Sequence, residues 1–200
     1  MFAFVPYSAK LRRVPLAALF YLLALVQQAA LGAEPKLTVQ VEKPGAAFVV
    51  DASLDVPVPV ETAWDVLTDF DHMTAFLTNL TLSKVASRNG HTLVIRQQGV
   101  AKYGLLALSF VSEREIRLEP MKRVVARGLS GTMKRMDSET DIVPLAQGAL
   151  IKYHAELEPD SLLARVFGKS FVRHEVKEQF TALGNEMLRR YASAANADRH

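Results

Sequence analysis

Between residues 79 and 158 the chain passes through six short runs, 79–88, 91–101, 105–118, 122–133, 135–143 and 148–158, in which apolar and polar residues alternate. A period of two sends successive side chains to opposite faces, so each run reads as a half-buried strand. In the third run Leu106, Leu108, Phe110, Ile116 and Leu118 share a parity, and in the sixth Ala149, Ile151, Tyr153, Ala155 and Leu157 do so. Asn89-Gly90 is a strong hairpin signal between the first two runs. Pro120, the Asp137-Ser138 region and Gln147-Gly148 mark further turns. Six strands joined this way make an antiparallel meander, whose apolar face must be covered by another layer.

The flanking segments supply the cover. FVVDASLDV alternates strictly, with Phe48, Val50, Ala52, Leu54 and Val56 on one side, and predicts one more strand able to close the sheet. Pro57 and Pro59 stop it. In VETAWDVLTDFDHMTAFL the period changes: Val60, Ala63, Trp64, Leu67 and Phe70 recur at three- and four-residue spacing, which predicts an amphipathic helix of about three turns, with a second short turn near Phe76 and Leu77. Pro159 ends the sheet region, and Leu162, Leu163, Val166 and Phe167 form a short apolar turn before Gly168. From there the stripe Val172, Val176, Phe180, Leu183, Met187 and Tyr191 predicts a long C-terminal helix, the only element long enough to lie across the sheet.

The expected fold is therefore α+β: a curved antiparallel sheet of about seven strands wrapped around a long C-terminal helix, with one or two short helices after the first strand. A curved sheet gripping a single helix leaves space between them. That space would be an apolar cavity, the usual form of a small-molecule site.

Five segments carry a resemblance: the opening strand running into VPVPVETAWDVLTDF, the strand QQGVAKYGLLALSF, the RLEP turn, GLSGTMKRMDSETDIVPL, and the terminal RHEVKEQFTALGNEMLRR. Over about residues 47–190 the chain resembles the START-like, helix-grip superfamily, which includes polyketide cyclases and coenzyme Q-binding START-type proteins. These motifs mark the fold and not a catalytic centre. The resemblance implies a deep pocket for lipids, isoprenoids, sterols or polyketides, and does not by itself imply an enzyme.

The N-terminus has the order of an export signal. Lys10, Arg12 and Arg13 precede an uninterrupted apolar run from Val14 to Val26, then Gln27, Gln28 and small residues lead to Glu34, the first acid in the chain. A cut after Gly32 or after Ala33 fits the small-residue exit. A retained anchor is the alternative, but the run has thirteen residues where a spanning helix needs about 20. The expected organisation is a cleaved signal at 1–33, a lead-in at 34–46, the helix-grip domain at 47–192 and a flexible tail at 193–200, in an exported protein of the bacterial periplasm.

Export alters the charge balance. The chain has 24 basic and 21 acidic residues, and removal of three basic residues leaves 21 of each. No basic excess remains to draw the domain to nucleic acid. The chain has no cysteine, which excludes thiol catalysis, thiolate metal sites and a lipid-modified cysteine anchor.

Candidate site residues follow from parity and from the expected cavity. Leu106, Phe110, Phe167, Phe171, Val176 and Phe180 are the apolar candidates for its lining. Tyr153 points inward, where a buried hydroxyl needs a partner: a ligand carbonyl, or else backbone or water. Arg114 shares the inward parity of Phe110 and could hold a ligand headgroup, or lie beyond a bulge or at the pocket mouth; Arg96 and Gln98 pose the same question on the preceding strand. His154 and Glu156 have outward parity. Asp69-Phe70-Asp71-His72 reads as a capping and solvated cluster, since metal sites need convergent ligands; neither metal nor cofactor is expected.

Two functions remain in view. One is a non-catalytic carrier or sensor of a hydrophobic small molecule, with transient membrane contact for ligand exchange. The other is a cyclase or dehydratase in which a pocket tyrosine or arginine polarises a ketone. The absence of an evident acid–base or nucleophile constellation, together with export, favours the first.

Overall fold

The computed structural model describes residues 34–160 and 168–197. The order of elements is β1 (Lys36–Glu42), β2 (Phe48–Val56), α1 (Val60–Thr68), a 3-10 helix (Phe70–Ala75), β3 (Leu80–Asn89), β4 (Thr92–Tyr103), β5 (Leu106–Glu119), β6 (Arg123–Gly131), β7 (Met133–Leu145), β8 (Gly148–Pro159) and α2 (Lys169–Ala197). The eight strands form one antiparallel sheet in the order β1-β2-β8-β7-β6-β5-β4-β3. The six-strand meander is present, and β2 closes onto β8 with Leu54 opposite Ile151.

At both ends of the domain the expectations need correction. The segment taken as a lead-in, 34–46, contains β1, so the sheet has eight strands rather than about seven. β1 pairs with β2 from Lys36↔Asp55 to Glu42↔Val49, and Val41 is buried. Its alternation, in KLTVQVE, was obscured by the prolines on either side. The tail assigned to 193–200 is helical as far as Ala197.

The turns follow the local chemistry. Asn89 pairs with Thr92 around Gly90, whose φ of 56° suits a residue without a Cβ. The Asp137-Ser138 turn does not exist. Both residues lie inside β7, where the Asp137 carboxylate accepts the Gly128 N–H at 3.2 Å. The chain reverses instead at Gly131–Met133. Strands β6 and β7 pair over four residues only, from Arg123↔Asp141 to Ala126↔Ser138, and the ladder ends there.

The core lies between the concave face and the helices. Phe48, Val50, Leu54 and Val56 of β2, Leu93 and Ile95 of β4, Ile116 of β5 and Ile151 of β8 are all essentially inaccessible. They share it with Ala63, Trp64 and Val66 of α1 and with Phe171, Val172, Val176, Phe180, Leu183 and Met187 of α2. Full burial of such side chains contributes about 1.5–3 kcal/mol each. α2 approaches the sheet closely at Gly184, where a Cβ would sit 3.5 Å from Leu54. Among the described residues, no helix is long and apolar enough to cross a membrane.

Candidate ligand cavity

The core is not filled everywhere. Two adjoining chambers lie between the concave face and α2, of about 160 Å³ and about 140 Å³, and they share Phe110, Ser112, Met136, Tyr153, Val176 and Gln179. The larger, inner chamber is walled by side chains such as Phe70, Ile116, Val124, Phe180 and Leu183. The outer chamber is walled by Leu108, Leu157, Phe171 and Val172 and is the more open of the two.

Of the residues expected to line a pocket, Phe110, Tyr153 and Val176 face both chambers. Arg114 and Phe180 face the inner one and Phe171 the outer one. Leu106 opens β5, but its side chain is outside the described residues, as is all of Phe167. Arg114 sits neither beyond a bulge nor at the mouth. The irregularity beside it belongs to β6, where the exposed Leu129 is the extra residue, while the β4–β5 register runs through Ile95↔Arg114 unbroken. Arg96 and Gln98 point outward, and Arg96 donates to Glu113 at 3.0 Å. The inward residue of β4 is Gln97, in phase with Leu93 and Ile95, a parity that the sequence displays.

Gln97 is the centre of a polar relay across three strands. Its side-chain oxygen accepts from Arg114 Nη2. Its amide donates to Ser83 Oγ at 3.0 Å and approaches Met73 Sδ at 3.5 Å. Ser83 in turn donates to the Phe70 carbonyl at 2.5 Å, anchoring the 3-10 helix. An arginine can only donate, so the amide orientation is fixed by its neighbour. Arg114 stands at the end of this relay with no carboxylate partner among the described residues, and its buried Nε has no acceptor. Burial pushes the guanidinium below its ordinary pKa, and the nearby Tyr153 partly offsets this. Burial also pushes the Tyr153 phenol up, against the influence of Arg114 and a hydrogen bond with Ser138. The Tyr153 ring packs on Phe180 at 5.2 Å between centroids.

Glu175, which the helical stripe did not single out, is a buried acid on the outer chamber. Its Oε1 accepts the Lys102 N–H at 3.0 Å and its Oε2 faces the Asn79 amide at 3.5 Å, tying α2 to the end of β4. Burial raises its pKa, and those two donors work in the other direction. His174, Glu175 and Glu178 bring three ligand-capable atoms within 4.8 Å of one another. Glu175 is already engaged with its two donors, and His174 contacts Glu178 at 3.3 Å. The Asp69–His72 cluster diverges: Asp69 binds His72 at 2.6 Å and Arg190 at 2.7 Å, while Asp71 accepts the Val85 N–H at 2.8 Å. His154 points outward and pairs with Asp51 at 2.8 Å.

A curved antiparallel sheet closed over a long C-terminal helix, with a largely apolar cavity between them, defines a START-like helix-grip protein. The chain belongs to the polyketide cyclase/dehydrase and lipid transport family, whose model matches residues 47–193. Solved structures share the fold at low identity. The Zhui aromatase/cyclase from Streptomyces is 14% identical with a TM-score of 0.63, covering 72% of this chain and 95% of its own. A START superfamily protein from Mycobacterium smegmatis is 14% identical with a TM-score of 0.57, covering 73% and 98%. A STAR-related lipid transfer protein from Xanthomonas axonopodis is 12% identical with a TM-score of 0.57, covering 76% and 93%. No curated protein matches the chain by sequence.

Proposed function

We propose that this protein binds and carries a hydrophobic small molecule, of lipid, isoprenoid or polyketide type, outside the cytoplasm. The observation that carries the reading is the two-chambered cavity against α2, lined mainly by Phe110, Leu157, Phe171, Val176 and Phe180. Pockets of this kind desolvate most of a small ligand's surface, and their few polar groups set its orientation. The lipid-transport description of the family and the lipid-transfer relative agree with it. The export half rests on the basic, apolar and small-residue order of residues 10–33.

Native mass spectrometry of protein purified from the periplasm tests the binding reading. A bound apolar molecule, lost when Val176→Phe fills the space common to both chambers, is the expected result. Empty protein that takes up nothing from a broad lipid and isoprenoid screen overturns it. Sequencing the mature N-terminus tests export, with a start at Ala33 or Glu34 expected.

One observation favours a second reading as a cyclase or dehydratase: Arg114 and Tyr153 adjoin in the inner chamber, where both could polarise a ketone. Turnover of a polyketide-like substrate, lost in Tyr153→Phe with folding intact, would establish it.

A further inference from the structure

The inner chamber holds a cation that no carboxylate among the described residues neutralises. Among the described residues its lining contains no carboxylate and no cation besides Arg114; the remaining polar groups are neutral amides and hydroxyls such as Asn79, Gln97, Ser138 and Tyr153. The nearest acid on the cavity, Glu175, lines the outer chamber and is held by Lys102 and Asn79. Gln97 satisfies one nitrogen of the guanidinium, and Nε is left buried without an acceptor. A neutral ketone oxygen could fill that vacancy but would leave the charge uncompensated. In an apolar surrounding the charge is the more costly defect.

We infer that the ligand is a monocarboxylic amphiphile, bound with its carboxylate on Arg114 in the inner chamber and its apolar tail along the outer chamber. This deepens the binding reading above and rests on it. A carboxylate supplies both a negative charge and two acceptor oxygens to the guanidinium edge, and such charge-assisted pairs are the stronger hydrogen bonds. One arginine balances one negative charge. A doubly charged phosphate would bring an excess that no second cation in the lining offsets. The tail's direction follows from the walls: beyond the shared residues the outer chamber is lined by Leu108, Leu157, Phe171 and Val172.

The test is a comparison of dodecanoate, methyl dodecanoate and dodecan-1-ol titrated calorimetrically into delipidated protein near neutral pH. Dodecanoate is expected to bind about tenfold or more tightly than the ester and the alcohol. In Arg114→Met the acid should fall to the level of the alcohol. Gln97→Glu keeps the arginine but gives it an internal counter-ion, and should erase the preference in the same way. Equal affinity for all three compounds, or an acid preference surviving in either variant, overturns the inference while leaving a hydrophobic cavity. Failure of all three to bind overturns the inference, and the broad screen above then decides the cavity reading separately. Should Arg114→Met not fold, the wild-type comparison and Gln97→Glu each decide the matter.

Discussion

Arg190, near the end of α2, donates from Nη2 to Asp69 Oδ2 at 2.7 Å and so ties the gripping helix to the junction between α1 and the 3-10 helix. The same guanidinium donates from Nε to Glu186 one turn earlier, also at 2.7 Å, and Arg189 chelates that carboxylate from the other side. The Glu186 side chain is only 8% exposed and Arg190 is largely covered, so that pair is sheltered from the screening that weakens surface ion pairs, whereas Arg189 lies at the surface. For Asp69, burial works against the charged form, but hydrogen bonds from His72 and Arg190 outweigh it and hold the carboxyl below its usual value.

The first prediction concerns acid stability. Hydrogen bonds from Arg189 and Arg190, against the cost of burial, lower Glu186 from an ordinary 4.5 to about 2. A carboxylate with a lowered folded-state pKa stabilises the fold fully above its unfolded value and loses that contribution as pH falls through the folded value. The displacement corresponds to roughly 3 kcal/mol, lost between about pH 5 and pH 2. Glu186→Gln should therefore destabilise the protein at neutral pH by about 1–3 kcal/mol, and the gap to wild type should close on acidification. Urea melts of both proteins across this range check it; a gap that stays constant with pH would exclude the linkage.

Glu175 should behave in the opposite sense. Burial raises its pKa in the folded state, so its ionised form at neutral pH detracts from stability. As pH falls through its folded value toward the ordinary carboxylate value, stability is gained. Glu175→Gln keeps an acceptor for the Lys102 N–H and removes the buried charge. It is expected to raise the melting temperature at neutral pH, with no advantage left well below pH 4. A variant that melts lower than wild type at neutral pH would show that the charge contributes more through Lys102 and Asn79 than burial takes away.

Much of this architecture is legible in the chain, and the failures have physical causes. The meander, the first helix and the long terminal helix follow from period alone, because side-chain direction is dictated by strand and helix geometry. β1 alternates Leu37, Val39 and Val41 against the outward Thr38 and Gln40, but the run is short and the turn signals of Pro35, Pro44 and Gly45 mask it. The cavity's apolar walls were readable from parity at Phe110, Tyr153 and Val176. Leu93 and Ile95 fix the inward phase of Gln97, which turns its neighbours Arg96 and Gln98 outward. Arg114's setting was less accessible. Parity gives its direction, but only the three-dimensional arrangement shows that no carboxylate among the described residues meets it. Glu175 and Glu186 were hidden for a related reason, since a helix stripe does not reveal which acids lie under a neighbouring strand or beside an arginine pair.

Gly99 supplies a packing prediction. A Cβ at this position would lie 2.0 Å from the Asn79 carbonyl oxygen and within 3 Å of the Phe110 ring. The same carbonyl accepts the Val100 N–H at 2.8 Å, so it cannot retreat without loosening the start of β3 from β4. Gly99→Ala is expected to cost about 2–4 kcal/mol. It should also press Phe110 into both chambers and weaken ligand uptake. Thermal melts and fluorescent-lipid titration measure the two effects. Wild-type behaviour in both would mean that backbone and ring yield together.

The last prediction separates stability from binding at Arg114. In the ligand-free protein this half-buried side chain contributes a charge with one neutral acceptor and a buried Nε that has none. Replacing such a group by an apolar side chain of similar length removes the desolvation penalty and loses only the hydrogen bond to Gln97. Arg114→Met should thus stabilise the empty protein by about 1–3 kcal/mol, even though Gln97 loses a donor. Saturating dodecanoate should reverse the order, because only the wild type gains the differential stabilisation that a bound acid provides. Denaturant melts with and without the acid measure this crossover. If Arg114→Met is the less stable protein in both conditions, the arginine is a structural member of the Gln97–Ser83 relay and its charge is satisfied without a ligand.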